Sequence, residues 1–363
     1  MQKSIVALAV AGVLAASAVA QAETTLYGSA RIGVEYTQGK GDGEKSSWDV
    51  ANQASRLGVK GSEDLGGGLS AIYQYEFGVN IDGGTNDLAS NTAVDANGEP
   101  AKAKDGSPLN RRLSFVGLQG SFGTVALGRQ YRPAYTFVSQ YTDIFNGNIT
   151  NPYSLTSENQ RVSDAVAYVT PTFGGFTAAA AVLMNGVGTN CKFPCENSNR
   201  EDIDAIEVGA GYSNGPLNIG VSYSYQPNGG AAVPSVADVV QGAEFSHYGI
   251  GGSFVTGPFS IGASYEYTDF DSGSLGDIQG YGLVLGFDVA PNTTLRGTYG
   301  NYRIDSAALG DDNQETWGLG IEHRLSKRTM VYAEFIDSDA SEYTGSFDPK
   351  GGYYTTLGMR HDF

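Results

Sequence analysis

The chain has 363 residues, with 22 Lys and Arg against 39 Asp and Glu, which gives a net charge of −17. This acidic balance argues against nucleic acid as a partner, because a phosphate backbone is bound by a basic surface. The 51 Gly, 22 Tyr and 16 Phe predict many strands with close backbone contacts and aromatic edges.

Residues 1–22 have the features of a secretory signal peptide. One Lys precedes an apolar run from Ile5 to Ala20, and the segment ends in Ala-Gln-Ala. We expect cleavage before Glu23, because small residues around a variable one mark the processing site. A transmembrane anchor is the alternative, which the short, Ala-rich run and the cleavage pattern disfavour. No later segment approaches the roughly eighteen apolar residues of a helical span.

From Glu23 onward, segments of about ten residues alternate apolar with small or polar side chains, a length and pattern typical of membrane strands. In Thr25–Thr37, Leu26 and Val34 share one parity, while Arg31 and Glu35 share the other. The same alternation recurs in Leu69–Phe77, Leu217–Tyr225, Phe259–Tyr267, Tyr281–Val289 and Tyr353–Phe363. Each segment therefore predicts a strand in a sheet with one apolar and one polar face.

The connectors between these segments alternate between tight and long. The seven tight ones are Glu63–Gly68, Gly120–Phe122, Thr172–Gly174, Asn214–Pro216, Thr256–Pro258, Ala290–Asn292 and Ser326–Arg328. The eight long ones lie near Gly39–Ala51, Asn80–Asn110, Tyr131–Gln160, Asn185–Ile203, Pro227–Ala243, Asp271–Asp277, Asp305–Gln314 and Asp339–Gly352. This sorting predicts an all-β fold, a 16-stranded antiparallel transmembrane β-barrel over residues 23–363, with aromatic girdles at both membrane interfaces. A soluble secreted β-sandwich that binds carbohydrate is the alternative, with its apolar faces packed inward.

The long connector Tyr131–Gln160 shows no sustained period, yet it holds four Tyr and two Phe. A structureless insert of this length in a compact protein is functional or disordered, and its aromatic content favours packing against another surface. Asp143 and Glu158 are its acidic residues. Since sixteen strands enclose an aqueous channel, we expect this loop to fold against the inner wall.

Cys191 and Cys195 lie close together in the sequence CKFPC. In an exported chain they predict a local disulfide. A metal site is the alternative, and the lack of nearby His disfavours it. We therefore expect no metal and no cofactor.

The chain also resembles the trimeric general porins of Gram-negative bacteria, especially the neisserial and burkholderial kind. The resemblance rests on TLYGSAR at Thr25–Arg31, SRLGVKGSEDLGGGL at Ser55–Leu69, RLSFVGLQGSFGTVALGRQYRP at Arg112–Pro133, and GMRHDF at Gly358–Phe363. It implies a homotrimer in outer-membrane lipid and lipopolysaccharide, with the third outer loop (131–160) folded into each pore as a constriction.

The resemblance further implies that the terminal Phe363 is read by the barrel assembly machinery. It also implies that the second loop latches over a neighbouring subunit, although the insert DANGEPAKAKDGSP departs from that pattern.

The selectivity of a pore comes from its size and from the charges where it narrows. By parity Arg56, Lys60 and Arg112 face the lumen, and Arg161 begins a strand beside the long loop. Arg129 shares the parity of Val125 and Leu127, so it faces outward unless a bulge intervenes. In the resembling porins, arginines on these strands form a basic wall that faces the third loop.

These residues predict a general diffusion porin for small hydrophilic solutes and ions, with a weak anion preference. A substrate-specific channel is the alternative, although the interior positions are mostly Gly, Ser, Thr and isolated charges. An outer-membrane hydrolase is a second alternative, which His247, His323 and His361 support poorly, so we expect no enzymatic activity. We interpret the acidic outer loops mainly as a source of solubility.

Overall fold

The structure is a computed structural model, and it describes residues 23–40, 46–82, 108–147, 160–184, 203–227, 244–271, 275–306, 312–339 and 351–363. The proposed signal peptide, Cys191, Cys195, Glu158 and most of the second long connector lie outside the described residues. Among the described residues, no helix has the length and apolar character needed to cross a membrane.

One antiparallel sheet of 17 strand segments contains nearly all of the described residues. The first nine segments are β1 (Glu23–Gly39), β2 (Ser46–Asn52), β3 (Arg56–Gly66), β4 (Leu69–Val79), β5 (Leu109–Gly120), β6 (Gly123–Tyr131), β7 (Arg161–Val169), β8 (Phe176–Leu183) and β9 (Ala205–Asn214). The others are β10 (Leu217–Gln226), β11 (Phe245–Thr256), β12 (Phe259–Phe270), β13 (Asp277–Ala290), β14 (Thr293–Asp305), β15 (Asp312–Arg324), β16 (Thr329–Ser338) and β17 (Gly352–Asp362).

The sheet closes into a barrel because β1 pairs with β17, from Ser29 opposite Asp362 to Gly39 opposite Gly352. β2 and β3 are two halves of one barrel strand, since β2 pairs with residues 32–38 of β1 and β3 pairs with residues 23–29. The predicted 16-stranded antiparallel barrel is therefore confirmed.

The outer surface of the barrel is apolar. Leu26, Val50, Leu285 and Leu319 are among many large hydrophobic side chains whose exposed fraction is about half or more. A closed barrel leaves no sheet edge, and an apolar exterior with a polar interior is the arrangement that lipid requires. The inverse arrangement of a soluble sandwich is thereby ruled out.

Aromatic side chains form two bands on this outer surface. At the end with the long connectors, contacting rings include Tyr36 with Trp48, Tyr223 with Tyr248, and Trp317 with Phe335. At the end with the short turns, they include Phe176 with Tyr212 and Phe259 with Phe287. Amphipathic rings at these two levels are the girdles expected at the membrane interfaces.

The connector after β6 folds into the barrel instead of away from it. It contains a short helix, α1 (Pro133–Phe137), and a 3-10 helix (Ser139–Tyr141). Phe137, Val138 and Tyr141 are buried, and both helices contact strands of the inner wall between β8 and β12. We refer to residues 132–147 as the inner loop.

Candidate functional site

The inner loop rests on glycines of the barrel wall. A Cβ atom at Gly209 or Gly211 of β9 would collide with the Phe137 ring, and one at Gly220 of β10 would collide with the Phe137 carbonyl. Further along, glycines of β11, β12 and β15 lie under the loop in the same way: Gly251 under Val138, Gly262 under Tyr141, and Gly320 under Phe145. The missing side chains let two backbones approach closely, which is a recognised use of glycine in strands.

Three carboxylates of the same wall bind the inner loop. Arg132 Nη2 lies 2.5 Å from Oε1 of Glu207 in β9. The Ser139 hydroxyl donates to Glu266 Oε1 in β12 at 2.7 Å. The backbone N–H groups of Asn146 and Gly147 donate to the two oxygens of Glu334 in β16, at 2.8 and 2.9 Å. These glutamates face the interior of the barrel, beneath the loop.

Because the inner loop lies against the wall from β9 to β16, it leaves the wall from β17 through β1 to β5 uncovered. Four arginines point inward from this part of the wall and interact with one another electrostatically: Arg31, Arg56, Arg112 and Arg360. We call them the arginine arc. Two carboxylates accompany them, Glu76 at 2.7 Å from Arg112 Nε and Asp362 at 2.9 Å from Arg360 Nε.

Asp143 is the acidic group by which the inner loop faces the arc. It interacts electrostatically with Arg56, Arg31 and Arg112, and it accepts a hydrogen bond of 2.6 Å from the Tyr135 hydroxyl. Burial raises the pKa of Asp143, while the Tyr135 hydroxyl and the arginines act in the opposite direction. The two sides of the opening therefore carry opposite charge whenever Asp143 is ionised.

The remaining predicted site residues make local contacts. Lys60 lies on the inner face of β3, 5.4 Å from the centre of the Tyr27 ring. Arg161 lies 5.6 Å from the centre of the Tyr131 ring and donates to Gln160 at 2.7 Å. Arg129 donates to the Ser163 hydroxyl at 2.9 Å.

Arg112 faces inward as predicted, but the parity argument that led to this prediction does not hold for β5. Leu113, expected to face lipid, is 2% exposed, whereas Val116 is 56% exposed and faces outward. The pairing of β4 with β5 shifts between Glu76 and Phe77, so that Arg112 is an extra residue in β5. A β-bulge at this point directs Arg112 inward together with Leu113.

A register shift also occurs at Arg129, where the pairing of β6 with β7 changes between Gly128 and Gln130. The extra residue lies in β7, where residues 163 and 164 lie opposite Arg129. The pairing of β6 with β5 continues without a shift through Leu127 and Arg129, so this bulge does not change the parity that Arg129 shares with Leu127. In β7, Asp164 has φ of 55°.

Arg31 and Arg360 were missed as site residues. Both have the inward parity of their strands: Arg31 alternates with Ile32, and Arg360 alternates with Met359. The signal was therefore present, but only the pairing of β1 with β17 brings the two arginines opposite each other.

Each of the three histidines lies beside a threonine hydroxyl. His247 lies under the inner loop, where Nε2 is 3.1 Å from Glu266 and Nδ1 is 2.8 Å from the Thr268 hydroxyl. His323 and His361 contact threonine hydroxyls near the short turns.

Comparison with known proteins agrees with this architecture. The family model described as "Gram-negative porin" matches residues 7–342. Over the full length of both chains, the sequence is 27% identical to "Outer membrane porin protein 32" of Delftia acidovorans. It is 30% identical to "Major outer membrane protein P.IB" of Neisseria gonorrhoeae, over 59% of this chain and 54% of that one.

Among solved structures, "Anion-selective porin from Comamonas acidovorans" is similar, with a TM-score of 0.70 and 25% identity over 94% of this chain and 100% of that one. The family match covers most of the chain, and the barrel, its apolar exterior and the inner loop agree with it. The chain thus belongs to the Gram-negative porin family, the channel proteins of the outer membrane.

Proposed function

We propose that this porin is a general diffusion channel that narrows between the inner loop and the arginine arc and passes anions more readily than cations. The observation that carries the proposal is the arc itself: four arginines against Glu76 and Asp362 on the same wall. Charges at the narrowest point determine the selectivity of a channel. Glu76 and Asp362 each pair with one of the four arginines, so we infer that this side of the opening is positive.

The glutamates of the opposite wall do not cancel this charge. Glu207, Glu266 and Glu334 are all less than 5% exposed. Their oxygens meet the Arg132 guanidinium, the Ser139 hydroxyl, His247 and two backbone N–H groups. A carboxylate that is paired and covered in this way contributes little to the field in the channel. Among the described residues of the inner loop, Asp143 is left as the acid opposite the arc.

A similar solved structure supports the same preference, since its title describes an anion-selective porin. That chain shares 25% of its residues with this one over nearly the whole barrel. The net charge of −17 does not oppose the proposal, because selectivity depends on the charges at the narrowing rather than on the total.

A substrate-specific channel is the second candidate, and one observation favours it. The rings of Tyr131 and Tyr135 stack with their centroids 5.1 Å apart, and Arg161 lies against Tyr131. An aromatic surface beside arginines is suited to planar organic anions. Two stacked rings are a short surface, however, and many of the other inward positions are Gly, Ser or Thr.

Single-channel conductance in planar bilayers separates the two candidates. For a general diffusion channel, conductance rises in proportion to KCl concentration, and added sugars or organic anions reduce it without saturation. A binding site would instead show saturation by one class of solute at low concentration. Saturation by one class would contradict the general-diffusion part of the proposal.

We further propose that the protein is exported with removal of residues 1–22 and assembles as a homotrimer in outer-membrane lipid. We propose that Phe363 acts as the signal for the barrel assembly machinery. The Phe363 backbone pairs with Gly28 at 3.0 and 3.1 Å, so the terminus is part of the sheet. Mass measurement in detergent and N-terminal sequencing of the exported protein test the trimer and the cleavage site. We also propose that the protein has no enzymatic activity.

A further inference from the structure

The barrel strand formed by β2 and β3 contains one extra residue at its break. Ile32 lies opposite Asn52, whereas Ser29 lies opposite Arg56. Residues 53–55 therefore span the space opposite the two residues 30 and 31. This is a β-bulge, in which the partner strand continues and the bulged strand gains one residue.

The extra residue reverses the inward and outward parity of the strand. Trp48 and Val50 face outward before the bulge, and Leu57 faces outward after it. Even-numbered residues thus face lipid in β2 and the lumen in β3. Without the bulge, Arg56 and Lys60 would share the lipid face with Trp48 and Val50, since a one-residue slip moves every side chain to the other face.

The side chain of Ser55 and the backbone N–H of Gln53 bind the backbone of Arg31. The Arg31 N–H donates to the Ser55 hydroxyl at 2.8 Å, and that hydroxyl donates to the Arg31 carbonyl at 2.9 Å. The Gln53 N–H donates to the same carbonyl at 3.0 Å. Ser55 and Gln53 are each 1% exposed, so these bonds have no competition from water. They replace the ladder bonds that the bulge interrupts.

The residue between them adopts an unfavourable backbone conformation. Ala54 has φ of 58°, a region that residues with a Cβ atom rarely occupy. Of the residues that the structure describes, Ala54 and Asp164 are the two non-glycine residues with positive φ. Both lie at register shifts of the sheet, and Ala54 lies two residues before the inward Arg56. Local backbone strain of this kind is retained where the surrounding structure uses it.

We propose that the Gln53–Ser55 bulge is the device that directs Arg56 into the channel, and that Ser55 is the positioning residue that holds Arg31 and Arg56 side by side. The inference rests on the proposed anion preference. It assigns part of that preference to Ser55, which acts through the two arginines and not by contact with a permeating ion. The bulge at Arg112 follows the same principle on a neighbouring part of the wall.

The test compares anion-to-cation permeability ratios, taken from reversal potentials in planar bilayers, for four versions of the full chain. Arg56→Gln removes one charge of the arc. Ser55→Ala removes the hydroxyl that binds Arg31. The matched control is Ser224→Ala, because Ser224 is also 1% exposed and its hydroxyl has no hydrogen-bond partner among the residues that the structure describes. The fourth version is the double variant S55A/R56Q.

We expect Ser55→Ala to lower the ratio by at least half of the change that Arg56→Gln produces, and Ser224→Ala to leave it unchanged. The double variant should fall by less than the sum of the two single changes, since residues that act through one another are not additive. A Ser55→Ala ratio equal to that of the unaltered protein, with a lowered ratio in Arg56→Gln, would overturn the positioning role alone. An unchanged ratio in Arg56→Gln would overturn the proposed anion preference itself.

Two substitutions at Ala54 decide the question if Ser55→Ala does not assemble. Ala54→Gly keeps the Ser55 hydroxyl and the Gln53 backbone N–H and removes the strain, so the ratio should stay unchanged and thermal stability should rise. Ala54→Val places a branched side chain at positive φ, which disfavours the bulge, so the ratio should fall. Equal ratios in both variants would contradict the inference.

Discussion

Asp143 makes the charge at the opening sensitive to pH. Its carboxyl faces the arginine arc from the inner loop, and burial raises its pKa above the usual range of an aspartate. An acid with a raised pKa becomes neutral at a higher pH than a free aspartate does. We therefore predict that anion preference rises on mild acidification, in a pH range where exposed aspartates are still ionised. Reversal potentials measured along a pH series check this.

Asp143→Asn is the matched variant for that series. It keeps the shape of the side chain and removes the negative charge, so its anion preference at neutral pH should match that of the unaltered protein in acid. Its pH series should be flat over the same range. A variant with the same pH response as the unaltered protein would show that another group titrates there.

Alternation in the sequence gives the direction of side chains along unbroken strands, and it misassigns some side chains at bulges, as it does for Leu113. Arg31 and Arg360 have the parity of the lumen along unbroken strands. Arg112 reaches the lumen because it is itself the extra residue of a bulge, which a strict period of two does not reveal. The break at residues 53–55 is equally hidden, since this segment contains neither Gly nor Pro, the strongest local signals of an interrupted strand.

At the level of elements, the fit between the inner loop and the glycines of the wall determines the aperture. A Cβ atom at Gly220 would meet the carbonyl group of Phe137, which is backbone and cannot rotate away. We predict that Gly220→Ala displaces the loop and destabilises the barrel by about 1–3 kcal/mol, the usual cost of overpacking. Single-channel conductance should change with it.

Gly297→Ala in β14 is the control, because a Cβ atom there has its nearest neighbour at 3.9 Å. Conductance and denaturant midpoint should match those of the unaltered protein. Equal effects at Gly220 and Gly297 would mean that any added methyl group disturbs the barrel, and that the loop contact has no special role.

Glu334 holds the far end of the described loop through two backbone N–H groups. Hydrogen bonds to a charged group contribute about 1.5–3 kcal/mol each. Glu334→Gln removes the charge, so we predict more frequent excursions of the loop, seen as increased current noise in the open channel. Glu63→Gln, at an exposed site near a short turn, should leave the noise unchanged. Equal noise in Glu334→Gln and the unaltered protein would contradict the tether.

The sequence predicted that residues 131–160 pack against another surface, because aromatic content and absence of a period coincide there. It did not predict which wall the loop covers. That outcome depends on Gly209, Gly220 and Gly262, which occupy inward positions of three different strands. Glycines at such positions have no mark in one sequence that distinguishes them from glycines of any other strand.

At the level of the whole molecule, the apolar face of the sheet points outward, so the barrel is stable in a lipid bilayer. Leu285 is 50% exposed on the outer surface, between the girdle residues Tyr281 and Phe287. We predict that Leu285→Arg costs about 2–4 kcal/mol, the penalty for a cation near the bilayer midplane. Unfolding in lipid vesicles and heat-modifiable mobility on gels measure this loss.

Ser260→Arg is the control on the adjoining strand, since Ser260 lies opposite Gly286 and faces the lumen. The barrel should tolerate it as it tolerates Arg296, whose side chain faces the same interior. A larger loss for Ser260→Arg than for Leu285→Arg would reverse the assignment of the two faces.

The barrel as a whole was predictable from the sequence. Alternation, short turns at one end, long connectors at the other and aromatic segment ends all depend on local chemistry that sixteen strands repeat. One irregular strand, such as the one divided into β2 and β3, does not change a prediction that rests on all sixteen strands. Selectivity was less predictable because it depends on a few side chains whose directions are set by bulges.

The most direct test of the arginine arc is the reversal potential of the unaltered porin in a KCl gradient across a planar bilayer. We predict the sign that corresponds to chloride crossing more readily than potassium. We also predict that the combined R31Q/R56Q/R112Q variant moves the potential toward zero or reverses it. A reversal potential that favours potassium in the unaltered protein would contradict the anion preference. Equal reversal potentials in the combined variant and the unaltered protein would contradict the role of the arginine arc.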